Sequence, residues 1–246
     1  MALLPAPPVS AAPPLGRRAD GAKRAAYWVA GALILIQALV AAVNLSPIGD
    51  RYTVKSLFDV NGEANVVAWL SSAALLLTAA GAGLAAAADR AQGAPRRLWV
   101  GWALVAALFT LLSLDEAARL HELAGEKAHH LIDLEALPSL YTWVLVAAPV
   151  GVAAALLLDR WIRRVIGLRT PTGRLTLAAI ILWLGVPALE ALDPSLGGPL
   201  VLSVIEESLE AVGEALMLAG VLVYLGTPGR FTALAARGAG SEPSER

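Results

Sequence analysis

The sequence predicts an all-α integral membrane protein with six transmembrane helices and both termini on the cytoplasmic side. Three observations predict it. Of 246 residues, 57% are hydrophobic and 16% are charged, with a mean hydropathy of +0.65; a soluble domain carries about 25% charge. Six stretches reach the roughly 20 mainly apolar residues needed to cross a hydrocarbon core of about 30 Å. Lysine and arginine also sort strongly between alternate loops.

Residues 1–24 open with a Pro- and Ala-rich stretch of no fixed period. They are expected to form a disordered cytoplasmic tail carrying Arg17, Arg18, Lys23 and Arg24. The membrane domain is expected over 25–226, with spans near 26–46, 65–88, 98–115, 141–158, 175–192 and 202–225. The apolar run of the first span is longer than the roughly 7–15 residues of a signal-peptide core, so it reads as a retained span. Spans two and four hold no charge, and span two contains GAGLAAAA from Gly81, a run that permits close helix packing. Pro187 should kink or interrupt span five. Residues 227–246 read as a flexible cytoplasmic tail. Trp28, Trp69, Trp99, Trp102, Trp143, Trp161 and Tyr141 fall mostly near span ends, where aromatic residues anchor the interface. Gln37, Asn44, Ser71, Ser72 and Thr78 read as interhelical hydrogen-bonding groups.

Of the 19 basic residues, 15 fall in the tails and in the loops after even-numbered spans. The other side holds only Arg51, Lys55, Arg119 and Lys127. Both termini are therefore expected in the cytoplasm. The acids sort the opposite way, with Asp20, Asp89, Asp159, Glu242 and Glu245 on the basic side and 15 outside or within spans. This asymmetry speaks against an inverted repeat, which would place acids on both sides. A net charge of −1 excludes a globally basic nucleic-acid binder, and the absence of Cys excludes disulfides, thiolate metal sites and Cys nucleophiles. No phosphate-binding loop, dinucleotide fingerprint or nucleophile elbow is present.

Span six carries Glu206, Glu207, Glu210 and Glu214. At about 100° per residue they share one sector of about 100°, opposite a face of Leu, Val, Ile and Ala. Glu214 lies 11 residues before Leu225, so at 1.5 Å per residue it sits roughly 16 Å deep, near mid-membrane. A charge there costs about 2.5–3.5 kcal/mol on insertion scales. The stripe must therefore face the bundle interior or a wet cavity. Glu206 and Glu207 also fit a plain interfacial position; Glu210 and Glu214 fit it poorly.

A second cluster follows span three in LLSLDEAARLHELAGEKAHHLIDLEAL. If one helix runs on from Asp115, then Arg119, Glu122, Glu126, His129 and Asp133 share its face, with Glu116 and His121 off it. All three His of the chain, His121, His129 and His130, fall in this window. Glu190 ends span five at the same level. A solvated amphipathic loop explains the cluster equally well. The zincin pattern fails, because Gly125 stands where its second His belongs. Glu126 and His129 match one Glu-x-x-His element of di-iron carboxylate bundles, but the second copy is missing.

Eight acids (Asp115, Glu116, Glu122, Glu190, Glu206, Glu207, Glu210, Glu214) share the outer half of the bundle with one near base, Arg119. They cannot all stay ionised in a half-buried site, so protons or an external cation must complete it. Three functions fit. The first is a membrane-embedded enzyme with a divalent transition metal (Zn, Mn or Fe) acting on a lipid-phase or extracytoplasmic substrate. Its ligands would come from Asp115, Glu116, His121, Glu122, His129, Glu207 and Glu210, with Glu214 and Glu206 as catalytic bases and Arg119 and Glu190 in support. The second is a proton- or cation-coupled carrier or sensor titrating at Glu210 and Glu214. The third is a non-catalytic partner of another membrane protein. One-sided acids joined by His place the metal site first. The bilayer is the one certain partner, with a lipid-phase or cationic ligand expected and oligomeric state left open.

Overall fold

A computed structural model describes residues 15–48, 51–60, 62, 65–120, 123–124, 127, 139–192 and 199–227, with backbone alone for 15–19, 139–148 and 190–192. Among the described residues the chain is all-helical. Its elements are α1 (Leu15–Asn44), α2 (Tyr52–Phe58), α3 (Val66–Ala91), α4 (Arg96–Ala118), α5 (Ser139–Trp161), α6 (Pro171–Leu192) and α7 (Leu200–Leu225). A π-helical turn, Ile162–Ile166, continues α5. Among the described residues five helical segments are long and apolar enough to cross a bilayer: Asp20–Asn44, Val66–Ala91, Arg96–Ala118, Pro171–Leu189 and Leu200–Leu225. The stretch expected as the fourth span is helical as α5, but the side chains of its first ten residues lie outside the description.

The helix ends show how local sequence sets the elements. Asn65 caps α3, its Oδ1 accepting from Val67 N at 2.8 Å and Ala68 N at 3.1 Å. Asn44 closes α1 and ties down the following loop: its Nδ2 donates to Phe58 O at 2.7 Å, and its Oδ1 accepts from Val60 N at 3.3 Å. α1 begins at Leu15, inside the stretch read as tail, so Lys23 and Arg24 stand on its first turns. Ala, Arg and Lys favour helix without needing an apolar face. Pro187 lies within α6 and does not interrupt it, since neighbouring helices can absorb the lost hydrogen bond.

One expectation fails at the end of α4. The helix does not run on from Asp115: Arg119 adopts a left-handed conformation with φ 55°, and its N–H bonds Asp115 O at 2.6 Å. This single-residue αL cap turns the chain, although the residue is not glycine. The common face drawn from Asp115 through Asp133 is therefore broken after Ala118.

α7 is the central helix. α1, α3 and α6 each pack along it, and α4 packs on α3. Contacts fix the directions. Ala30 of α1 meets Ala215 and Ala219, and Val40 meets Val204, so α1 and α7 are antiparallel. Ser71 meets Glu214 and Gly81 meets Val221, so α3 and α7 are parallel. The small-residue run of α3 serves this contact: a Cβ on Gly81 would lie 2.7 Å from Val221 Cγ1, and Ala82, Ala85 and Ala88 are fully buried. α3 and α4 are joined by a reciprocal serine pair, Ser72 Oγ donating to Ser113 O at 3.0 Å and Ser113 Oγ to Ser72 O at 2.9 Å.

The two halves of α7 differ. From Gly213 to Leu225 nearly every residue is buried, including Met217, Val221 and Tyr224. At this end Trp102 lies between Tyr224 (4.5 Å) and Trp161 (5.1 Å, edge-on), and Tyr224 Oη donates to buried Asp89 at 2.6 Å. The other half, from Leu200 to Val212, is mostly half-buried and carries Glu206, Glu207 and Glu210.

Candidate functional site

Glu214 stands at the boundary between these halves. It is 5% exposed, and its Oε1 accepts a 2.5 Å hydrogen bond from Ser71 Oγ of α3. One turn toward the N-terminus of α7, the backbone carbonyl of Glu210 accepts from Trp183 Nε1 of α6 at 3.2 Å. That contact needs Gly213, because a Cβ there would fall 2.5 Å from Trp183 Nε1. Across α1, buried Gln37 donates to Ser208 Oγ at 3.4 Å, while Ser208 itself donates to Val204 O at 2.6 Å.

These groups enclose a cavity of about 40 Å³ between α1, α3 and α7. Its polar lining is Gln37, Ser71, Glu207, Glu210 and Glu214, and its apolar lining includes Leu33, Ile36, Val40, Val67 and Leu70. Such a volume holds roughly three water-sized groups. Glu116, on the last turn of α4, lies within electrostatic reach of both Glu210 and Glu214. The C-terminal end of α4 and the acid-bearing part of α7 therefore do face a common region.

The expected site residues divide into three sets. Glu207, Glu210 and Glu214 meet at the cavity. Asp115, Glu116 and Glu206 are half-buried near it without lining it, and Arg119 is exposed at the αL cap. His121, Glu122 and His129, and the side chain of Glu190, lie outside the described residues. Among the described residues no three His, Cys, Asp or Glu side chains converge to hold a metal ion.

Sequence reasoning undervalued Ser71 and Gln37. Both read as helix-to-helix glue, and both also line the acid cavity. The signal was present in depth: counted along their spans, each falls opposite the acid-bearing part of α7.

A family model matches residues 25–225, from the membrane part of α1 to the end of α7. The chain belongs to this family, a domain of unknown function (DUF8692). Searches of the curated proteins and of the solved structures gave no match. DUF8692 membership assigns no activity, so function rests on the cavity.

Proposed function

We propose that this DUF8692 chain is a six-span membrane protein, its termini in the cytoplasm, that binds an exchangeable proton or cation at Glu210 and Glu214 as a carrier or sensor. The observation that carries this reading is Glu214: a carboxyl 5% exposed, held by Ser71, in a cavity shared with Glu207 and Glu210. Carboxyls gathered at that depth cannot all keep uncompensated charge, because desolvation and mutual repulsion both oppose it. A proton or a cation completes the site. The buried half of α7 below Glu214 has no acid facing the cavity, so exchange runs from the outer half. The transition-metal enzyme needs His121, Glu122 and His129, and nothing in the described geometry favours it over the simpler cation site.

The test is linkage between the two ions. Purified protein in weakly buffered detergent solution near neutral pH is titrated with methylammonium chloride, and with sodium chloride as a second cation. Protons released in proportion to cation bound, and lost in Glu210→Gln and Glu214→Gln, support the reading. Folded wild-type protein that releases none with either salt refutes it.

A further inference from the structure

The end of the bundle where α7 finishes carries the opposite charge from the acid cavity. Aromatic contacts bring its parts together. Tyr224 bonds Asp89 at the end of α3, and Trp102, near the start of α4, lies between Tyr224 and Trp161 at the end of α5. Trp161 Nε1 then donates to Arg97 O at 3.0 Å, which ties the first turn of α4 to the start of the π turn. A Cβ on Gly101 would collide with that indole, so glycine is what lets the two segments meet. The start of α6 joins them: a Cβ on Gly220 of α7 would lie 3.0 Å from Thr176 Oγ1 and 3.5 Å from Thr172 O.

Residues 89–97 and 159–174, gathered at this end, hold eight arginines against two aspartates. All eight arginines are exposed. Of the eight, only Arg163 has an ion pair among the described residues, to Asp159 at 2.7 Å. The other aspartate, Asp89, is buried and accepts from Tyr224. Arg90 is held over the Trp99 ring, 5.3 Å from its centroid, beside the first turn of α4 where Arg96 and Arg97 stand. The backbone adds to the charge. α4 and α6 both start here with no acid in the first turn, and Pro95 gives α4 no side-chain cap. A helix N-terminus carries about half a positive charge and is stabilised by an anion. Arginines in these turns add to that charge instead of offsetting it, so an external anion relieves both. Membrane orientation needs only the number of basic residues beside a span; it does not need them drawn to one corner.

A second observation says what carries the anion. Leu156 and Leu157, 57% and 68% exposed, lie one turn before Arg160 on α5, and Leu104, 66% exposed, lies two turns beyond Arg97 on α4. The guanidiniums therefore border on bare apolar helix surface. Half-buried Trp99 and Trp161 stand at the same level, where aromatic rings mark the membrane interface. A guanidinium binds phosphate through paired N–H donors. An acidic peptide would match the charge and leave the leucines uncovered, whereas a phospholipid matches both.

We propose that the basic corner formed by the α3–α4 loop, the π turn and the start of α6 docks the phosphate headgroup of an anionic phospholipid, whose acyl chains lie along the exposed leucines of α4 and α5. This goes beyond the cation reading of Glu210 and Glu214 and does not depend on it.

The test titrates the full chain in detergent micelles with phosphatidylglycerol or phosphatidylcholine, and native mass spectrometry gives the apparent affinity for each. Wild type should bind phosphatidylglycerol about tenfold or more tighter than phosphatidylcholine. Arg96→Gln with Arg97→Gln should weaken phosphatidylglycerol binding about tenfold or more, and so should Arg160→Gln with Arg164→Gln. Phosphatidylcholine binding should stay unchanged in both. The first pair leaves the Trp161 bond in place, because Arg97 accepts through its backbone. Arg51→Gln with Lys55→Gln, exposed at the other end of the bundle, should change neither affinity. If a double variant does not fold, Arg164→Gln alone should still weaken phosphatidylglycerol binding about fivefold. Equal affinity for the two lipids in folded wild type, or phosphatidylglycerol binding that folded variants keep, overturns the proposal. Hexaglutamate that binds wild type more tightly than phosphatidylglycerol, and is lost in the same variants, would assign the corner to an acidic protein and overturn it as well.

Discussion

Replacing Gly213 by Ala tests how the acid-bearing helix is held. The new Cβ would meet the Trp183 ring at three atoms, 2.5 Å from Nε1 and 2.9 Å from Cδ1 and Cε2. A rigid indole has no flexible end to yield, so the ring must move and release its 3.2 Å hydrogen bond to Glu210 O. Overpacking of this kind costs about 1–3 kcal/mol. The lost hydrogen bond adds about 0.5–1.5 kcal/mol. Alanine returns about 1 kcal/mol through helix propensity. The net expectation is a destabilisation of about 2 kcal/mol. Equilibrium unfolding of the detergent-solubilised protein, followed by far-UV circular dichroism, measures it. Trp183→Phe makes the cause specific: the smaller ring lacks the N–H, so Gly213→Ala should cost less in that background, with a coupling of about 0.5 kcal/mol or more. A Gly213→Ala protein as stable as wild type, or equal costs in both backgrounds, would refute the packing argument.

Three further outcomes follow from the same contacts. Asn65→Ala removes the cap that accepts from Val67 and Ala68, and should lower stability by about 1–2 kcal/mol in the same unfolding assay. Tyr224→Phe removes the 2.6 Å bond to buried Asp89, and should cost about 1–3 kcal/mol, whereas Tyr52→Phe, at a site 88% exposed on α2, serves as the control. Ser72→Ala breaks one arm of the serine pair between α3 and α4; a loss of about 1 kcal/mol is expected, visible as a lower unfolding midpoint, and an unchanged midpoint would show the pair to be idle.

Much of the architecture was legible because it depends on composition and period. Five expected spans reappear as apolar helices to within a few residues. The 3.6-residue period placed Glu207, Glu210 and Glu214 together on α7, and they do share one cavity. The small residues from Gly81 predicted a close helix contact, made with Val221. The misses have local causes. Arg119 in the αL region carries no signal that a propensity scale records, yet it ends α4. α2 is only seven residues long and lacks a clear apolar period, so it was not foreseen. The cavity itself could not be seen from one helix, because Gln37 and Ser71 reach Glu214's neighbourhood from α1 and α3 across more than a hundred residues of sequence. Identical side chains on a lipid-facing helix face would have looked the same in sequence.

The central claim is that Glu210 and Glu214 form one exchangeable cation site inside the membrane. A lipid-soluble carbodiimide, which modifies protonated carboxyls in apolar surroundings, tests it most directly. The protein is treated in nanodiscs with and without methylammonium, and modified residues are mapped by mass spectrometry. The account predicts modification at Glu210 or Glu214, slowed by methylammonium, with Glu206 unaffected by the cation. Modification that ignores methylammonium, or that spares both residues in folded protein, would contradict it.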